Sequence, residues 1–171
     1  MVSYLLASLC GAAVLAADQL TKHYVSSNFV LGESREFISG FIDLTYIHNR
    51  GGAWGMLYGY TYILLPVTVI IMLLCVFLYI RYAKNSRLVL WAMTLVLSGG
   101  IGNMIDRIFR DGNVVDFLHF EFFPSFPVFN IADCAIVAGA GLLILYFIID
   151  SVKESKLKKA GASAGGDDEK N

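Results

Sequence analysis

Apolar residues form four long runs along this chain, and shorter polar stretches separate them. Crossing a hydrocarbon core of about 30 Å takes about 20 helical residues, and each run is close to that length. The second run carries no charged residue at all. The pattern therefore predicts four transmembrane helices, at about residues 2–20, 56–80, 88–106 and 131–149.

A different pattern occupies the segment at about residues 23–55. Residues 36–38 and 41–48 are rich in β-branched and aromatic side chains with partial alternation, which predicts two short strands joined through Ser39 and Gly40. A strand within hydrocarbon would leave backbone groups without hydrogen bonds. We therefore expect an all-α membrane protein that has a small β-sheet on its outer (periplasmic) face.

Basic residues predict the orientation of the chain, because cytoplasmic loops are enriched in Lys and Arg. The link 81–87 holds three basic residues and no acid, and four lysines lie between residues 153 and 159. Both segments, and so both termini, are expected in the cytoplasm. We predict a single membrane-embedded domain at 1–152 and a cytoplasmic tail at 153–171, first basic and then disordered.

Composition narrows the class of protein further. Hydrophobic residues make up 57% of the chain and charged residues 16%, which is typical of a membrane protein. Thirteen basic and 14 acidic residues give a net charge of -1, which argues against a nucleic-acid partner. The three histidines show no metal-ligand spacing and no CxxC pair occurs, so we expect no metal and no cofactor.

Polar residues near the hydrocarbon need an explanation, because a charge at a helix centre costs about 2.5–3.5 kcal/mol on insertion scales. Asp18 and Lys22 lie four residues apart, on one helix face, and can form an ion pair. We interpret them as an interfacial pair that anchors the first helix, with the lysine reaching outward. A role in orienting a substrate head group is also open.

The motif at residues 48–55 leads into the second run. Gly51 and Gly52 permit a turn and close approach by another chain, and Asn49 can donate and accept hydrogen bonds beside them. The alternative is an ordinary loop that ends at an aromatic belt residue, Trp54.

The end of the third run carries a polar face. Gly99, Gly102, Asn103 and Asp106 fall at helical spacing, so they share one side of the helix. The glycines are typical of a packing seam between membrane helices. Arg107 follows and can pair with a carboxylate through two hydrogen bonds. Asn103, Asp106 and Arg107 are compatible with packing and with support of an active site.

Two further acidic residues are candidates for a chemical role, and each also has a purely structural explanation. Asp116 lies among bulky apolar residues, so burial is expected to raise its pKa, although it could be an exposed loop acid. Asn130 and Asp133 have the spacing of a helix N-cap, and capping alone explains them about equally well. Only the combination of Asp116 with Asp133 favours chemistry.

The loop between Asp116 and Asp133 contains Pro124 and Pro127 and could bring the two acids together. Two neighbouring carboxyl groups share a proton, so that one can activate water while the other protonates a carbonyl. This predicts peptide hydrolysis. The alternatives are a small ion- or proton-coupled transporter, in which intramembrane acids are common, and a structural membrane subunit.

Five motifs, in order, resemble those of the lipoprotein signal peptidase family (signal peptidase II). They are DQLTK at 18–22, NRGGAW at 49–54, GGIGNMIDR at 99–107, VVDF at 114–117 and FNIAD at 129–133. The resemblance covers about residues 18–149. Gly52 stands where the family usually has Ala, and Trp54 where it often has Phe, which bears on fine specificity.

The resemblance implies a four-helix aspartyl protease of the bacterial inner membrane, with its active site at the outer face. Such enzymes cleave prolipoproteins before a diacylglyceryl-modified cysteine. The resemblance implies prolipoprotein substrates, membrane lipid and the inhibitor globomycin as partners. It makes Asp116 and Asp133 the catalytic pair. Positions that bind substrate or support the site would be Asn49, Gly51, Asn103, Arg107 and Asn130, and a further motif of polar residues would include Asp18 and Lys22.

Overall fold

A computed structural model describes residues 2–51, 61–84 and 86–164, and within these residues it contains four long helices. All four are long and apolar enough to cross a membrane. The prediction of a helical membrane protein with a small sheet is confirmed. The helices are α1 (Val2–Asn28), α2 (Thr61–Tyr82), α3 (Arg87–Phe109) and α4 (Ile131–Ala164).

The helix α1 is longer than its apolar run suggests. It continues eight residues beyond the predicted end at about residue 20, so the predicted outer β segment at 23–55 is wrong in its first six residues. The helix continues because Asp18 and Lys22 do not meet water there. Both side chains are buried inside the protein, where they bond to one another, and Lys22 also bonds to α3 and Asp18 to the first turn of α4.

The other helix bounds differ less, except at the C-terminus. The predicted start of the second helix, at about residue 56, lies outside the described residues. Ser86 caps α3, its side chain accepting a hydrogen bond from the Val89 N–H. The helix α4 continues to Ala164, which lies inside the predicted tail at 153–171, so the part of this tail up to Ala164 is helical and not disordered. Charged residues do not break a helix once its backbone bonds are made.

A three-stranded antiparallel sheet lies against one end of the helices. Its strands are β1 (Ser34–Ile38), β2 (Ile42–Asn49) and β3 (Val114–Phe120), in the order β1-β2-β3. The first two match the predicted strands. The third, which carries Asp116, was not predicted as a strand. It pairs with β2 so that Asp116 lies opposite Ile47.

Packing at α3 determines where the site lies. Gly99 approaches α4 so closely that a side chain there would meet the Ala132 carbonyl oxygen, and a side chain at Gly102 would meet Asp18 on α1. The expected glycine seam is therefore confirmed. Beside it, Val25 and Val115 belong to an apolar cluster that holds the sheet on α1. The end of α3, the start of α4 and β3 consequently converge.

Candidate active site

A cleft of about 440 Å³ opens among α2, α3, α4 and β3, and both Asp116 and Asp133 line it. Most of its wall is apolar. Thr68, Asn49, Asn103 and Arg107 are its other polar lining residues. The apolar lining residues include Ile71, Met72, Val96, Val128, Phe129, Ile136 and Val137. The two acids therefore face a cavity that is large enough for a peptide segment and poor in competing polar groups.

Asp116 lies in β3 and is almost fully buried. Its Oδ2 accepts a hydrogen bond of 2.8 Å from Asn49 Nδ2, and its Oδ1 accepts one of 2.6 Å from Asn130 Nδ2. Burial, and then the negative charge of Asp133, raise the pKa of Asp116 to about 7, although both amide bonds oppose this shift. The expectation of an apolar, perturbed carboxyl is confirmed.

Asp133 lies in the first turn of α4 and caps it. The Asn130 N–H donates to Asp133 Oδ2 at 3.2 Å, and the Asp133 N–H donates to Asn130 Oδ1 at 2.9 Å. This reciprocal pair is a capping box with Asn in place of Ser or Thr. The capping interpretation is thus correct, yet Asp133 Oδ1 also accepts a bond of 2.8 Å from Asn103 Nδ2 and faces the cleft.

Two asparagine side chains connect the carboxyl groups. Besides Asp116, Asn130 Nδ2 donates to Asn103 Oδ1 at 3.1 Å. Asn103 in turn holds Asp133. The four side chains thus form one continuous hydrogen-bonded chain, which fixes both acids although they come from separate elements.

A buried ion cluster lies behind these asparagines. Lys22 Nζ is 2.9 Å from Asp18 Oδ2 and 3.1 Å from Asp106 Oδ2, and both carboxylates are buried. The expected ion pair is confirmed, but the expectation that Lys22 reaches outward is wrong, because its side chain has no exposed surface. Asp106 also pairs with Arg110, four residues later, which the sequence analysis missed although the spacing signals it.

Arg107 lines the cleft, but it forms no ion pair with a carboxylate among the residues that the structure describes, although the sequence made such a pair possible. Its Nη1 donates to the Asn103 carbonyl oxygen at 3.4 Å. Its Nε is buried and has no hydrogen-bond partner among the described residues. A buried donor without a partner is costly, so a bound ligand with an acceptor oxygen would satisfy it.

The glycine motif is only partly within the described residues. Gly51 is buried, and its N–H donates to Asn49 Oδ1 at 3.0 Å. This bond leaves the amide nitrogen of Asn49 to face Asp116. Gly52 and Trp54, the two departures from the family pattern, lie outside the described residues.

Metal-binding groups are absent from the described part of the chain: no three His, Cys, Asp or Glu side chains there are arranged as ligands of one ion. The acids at the cleft contact asparagine side chains and backbone N–H groups instead. The acids and asparagines at the cleft can bind a polar ligand through hydrogen bonds, polarise its carbonyl group and transfer protons to or from it.

Comparisons with known proteins agree with one another. A family model described as "Signal peptidase (SPase) II" matches residues 10–149. The lipoprotein signal peptidase of Enterococcus faecalis (strain ATCC 700802 / V583) is 39% identical over 150 residues, which cover 86% of this chain and 92% of that protein. The lipoprotein signal peptidase of Listeria welshimeri serovar 6b is 37% identical over 147 residues, covering 85% of this chain and 95% of that protein.

Two solved structures share the fold. One, described as "Bacterial membrane enzyme structure by the in meso method at 2.3 A resolution", has a TM-score of 0.78 and 33% identity, covering 88% of this chain and 90% of its own. A second membrane enzyme structure of the same description, at 1.9 Å, has a TM-score of 0.75 and 33% identity, covering 86% of this chain and 93% of its own.

Proposed function

The chain belongs to the signal peptidase II family, and we propose that Asp116 and Asp133 are its catalytic pair. Family membership makes the protein an aspartic-type signal peptidase, a multi-pass bacterial membrane hydrolase that removes signal peptides from prolipoproteins. The observation that carries the proposal is that both acids line one apolar cleft and both bond to Asn130.

The proposed reaction needs one ionised and one protonated carboxyl group. The ionised one takes a proton from a water molecule, whose oxygen attacks the scissile carbonyl carbon, while the protonated one donates to the carbonyl oxygen. The resulting tetrahedral intermediate then breaks its C–N bond: the carboxyl group that took the proton from water gives it to the leaving amine, and a hydroxyl of the intermediate returns its proton to the other carboxylate, which restores the pair. Because the two carboxyls titrate as a pair, neither is assigned as the base.

Arg107 has the geometry of a substrate-binding residue. Its Nε is buried, has no partner within the described residues, and belongs to a side chain that lines the cleft. In the proposed complex a peptide carbonyl oxygen accepts this hydrogen bond. The low dielectric of the apolar wall strengthens such a bond.

The proposed scissile bond precedes a diacylglyceryl-modified cysteine. Acyl chains of such a residue stay in hydrocarbon, which holds the adjacent peptide at the membrane surface. Both acids lie at the sheet end of the helices, where a peptide at that depth would enter. The other end of the helices carries the basic residues Arg81, Lys84 and Arg87, which supports a sheet that faces outward and termini in the cytoplasm.

Cleavage of a purified, diacylglyceryl-modified prolipoprotein tests the proposal. Asp116→Asn and Asp133→Asn should each lower the rate of signal-peptide release by about 10²- to 10⁴-fold, the usual contribution of a general acid or base. Asp111→Asn is a matched control, because Asp111 is exposed, lies just before β3 and has a positive φ that Asn tolerates. Wild-type turnover by either folded dyad variant would refute that residue's role.

The pH dependence of cleavage tests the shared proton. Since the pKa of Asp116 is raised to about 7, the pair loses its proton as the pH rises through about 7, and activity should fall there. Asn49→Ala removes a hydrogen bond that lowers this pKa, so the fall should move to higher pH. An unchanged profile in this variant would show that the alkaline fall belongs to another group.

A further inference from the structure

Lys22 has the largest side chain among the fully buried residues that the structure describes, and the reaction above does not use it. An ammonium group has three N–H donors. Here all three have acceptors, since Asn103 Oδ1 lies 2.9 Å from Nζ, in addition to Asp18 and Asp106. Lys22 is not among the residues that line the cleft, so it is not placed to contact a peptide bound there.

The two carboxylates bound to Lys22 hold the backbone next to the catalytic pair. Asp18 Oδ1 accepts a bond of 2.9 Å from the N–H of Ala132, the residue before Asp133. Asp106 Oδ2 accepts a bond of 3.0 Å from the N–H of Val115, the residue before Asp116. A single cation therefore joins two backbone contacts, one beside each acid.

The third contact of Lys22 sets the orientation of an amide. Asn103 Oδ1 accepts hydrogen bonds from Lys22 Nζ and from Asn130 Nδ2, which leaves Asn103 Nδ2 to donate to an oxygen of Asp133. If the amide were reversed, its NH₂ group would face the ammonium and its oxygen would face a carboxylate. The charge of Lys22 therefore selects the orientation in which Asn103 is a donor to Asp133.

We propose that Lys22 is a positioning residue, which sets the spacing of Asp116 and Asp133 through Asp18 and Asp106 and fixes Asn103 as a donor. This rests on the proposed function, because it concerns the alignment of that pair. A buried ion pair adds little net stability compared with apolar packing, but it can specify one arrangement of the groups around it. In the proposed role, Lys22 specifies the arrangement of the groups around it and does not add net stability.

The kinetic test uses a variant in which the cluster keeps its net charge. Lys22→Met alone leaves two buried anions and is expected to impair folding, whereas Lys22→Met with Asp18→Asn removes one cation and one anion, and Asp106 keeps Arg110. We expect kcat of the double variant to fall about 10- to 100-fold, as when aligning contacts are lost, with KM close to the wild-type value.

The single variant Asp18→Asn is the matched control, and it should lose less activity because Lys22 still holds Asn103 and Asp106. The alternative hypothesis, that Lys22 only balances the charge of the buried carboxylates, predicts another result. In that case the double variant would regain both wild-type thermal stability and wild-type kcat, and the proposal would be overturned.

Amide hydrogen exchange tests the same proposal without substrate. In the double variant, exchange should become faster at Val115 and Ala132, while the segment 69–82 of α2 stays unchanged. Unchanged exchange at both positions would overturn the proposed spacing role. If the wild-type protein failed to cleave any lipid-modified prolipoprotein, the proposed function would fall, and the exchange rates would still decide whether Lys22 organises these two segments.

Discussion

The helices α2 and α3 are similar in length, but α3 is packed inside the protein whereas most of α2 is exposed on its surface. Half of the most apolar 18-residue stretch of α3 is buried within the protein, against 6% of the corresponding stretch of α2. The more buried helix is the one with more glycine and polar residues, whereas α2 carries no charge before Arg81. In a water-soluble protein the relation would be the reverse.

The contrast shows what holds such helices together. Lipid tails are as apolar as leucine, so apolar side chains alone give helices little reason to associate, and close packing and polar bonds take over. In α3 the small residues Gly99 and Gly102 allow close approach, and Asn103 and Asp106 bond across to other elements. Substitutions in α3 should therefore cost more than matched ones in α2.

The largest difference in the free energy of unfolding is expected between alanine substitutions of two leucines, one in each helix. Leu90 in α3 is 1% exposed and packs against Ala7 and Ala83, whereas Leu73 in α2 is 64% exposed. Leu90→Ala should lower the free energy of unfolding by about 2–5 kcal/mol through loss of buried contacts and creation of a cavity. Leu73→Ala should have a much smaller effect. Unfolding in mixed micelles measures both, and equal losses would break the contrast.

Substitution of a polar residue should slow cleavage more in α3 than in α2. Asn103→Leu removes the donor to Asp133 and the acceptor for Lys22, so cleavage should slow by about 100-fold. Thr68 lines the same cleft from α2, but its hydroxyl donates to Leu64 O of its own helix. Thr68→Val should therefore stay near wild type in the cleavage assay. A large loss there would assign α2 a polar role as well.

The smallest difference concerns two glycines of α4. A Cβ at Gly139 would lie 2.6 Å from the Ala92 carbonyl oxygen of α3, whereas nothing lies within 4 Å of one at Gly141. Gly139→Ala should cost about 1–3 kcal/mol through overpacking. Gly141→Ala should stabilise the protein by up to about 1 kcal/mol, the gain in helix propensity. Thermal unfolding compares them, and a stable Gly139→Ala protein would show that the seam can widen.

Apolar runs predict where the helices are but not where they end. The length of a run reflects the thickness of hydrocarbon, while backbone bonding continues through polar residues whenever these find partners. For α1 the partners are Asn103 and Asp106, more than 80 residues later, which no local pattern reveals. The prediction of an outward Lys22 was wrong for the same reason.

The two acids of the candidate site were easier to predict than the strand and the hydrogen bonds that hold them in place. Asp116 and Asp133 attract attention because acids among apolar residues are unusual, and the cleft contains both. The strand β3 was missed because Asp116 interrupts a short apolar run, although its remaining β-branched and aromatic residues fit a strand. The bond from Asn130 to Asp116 depends on how β3 docks, so local spacing shows only the capping contact.

That docking has a consequence for newly made copies of the protein. Asn130 caps α4 through its bonds with Asp133 and also holds Asp116, so the capped start of this helix and the arrangement of both acids depend on one side chain. A copy whose last helix has not yet inserted has both acids but lacks the arrangement that the proposed reaction needs. Under the proposed function, cleavage would therefore begin only after α4 has taken its place beside β3.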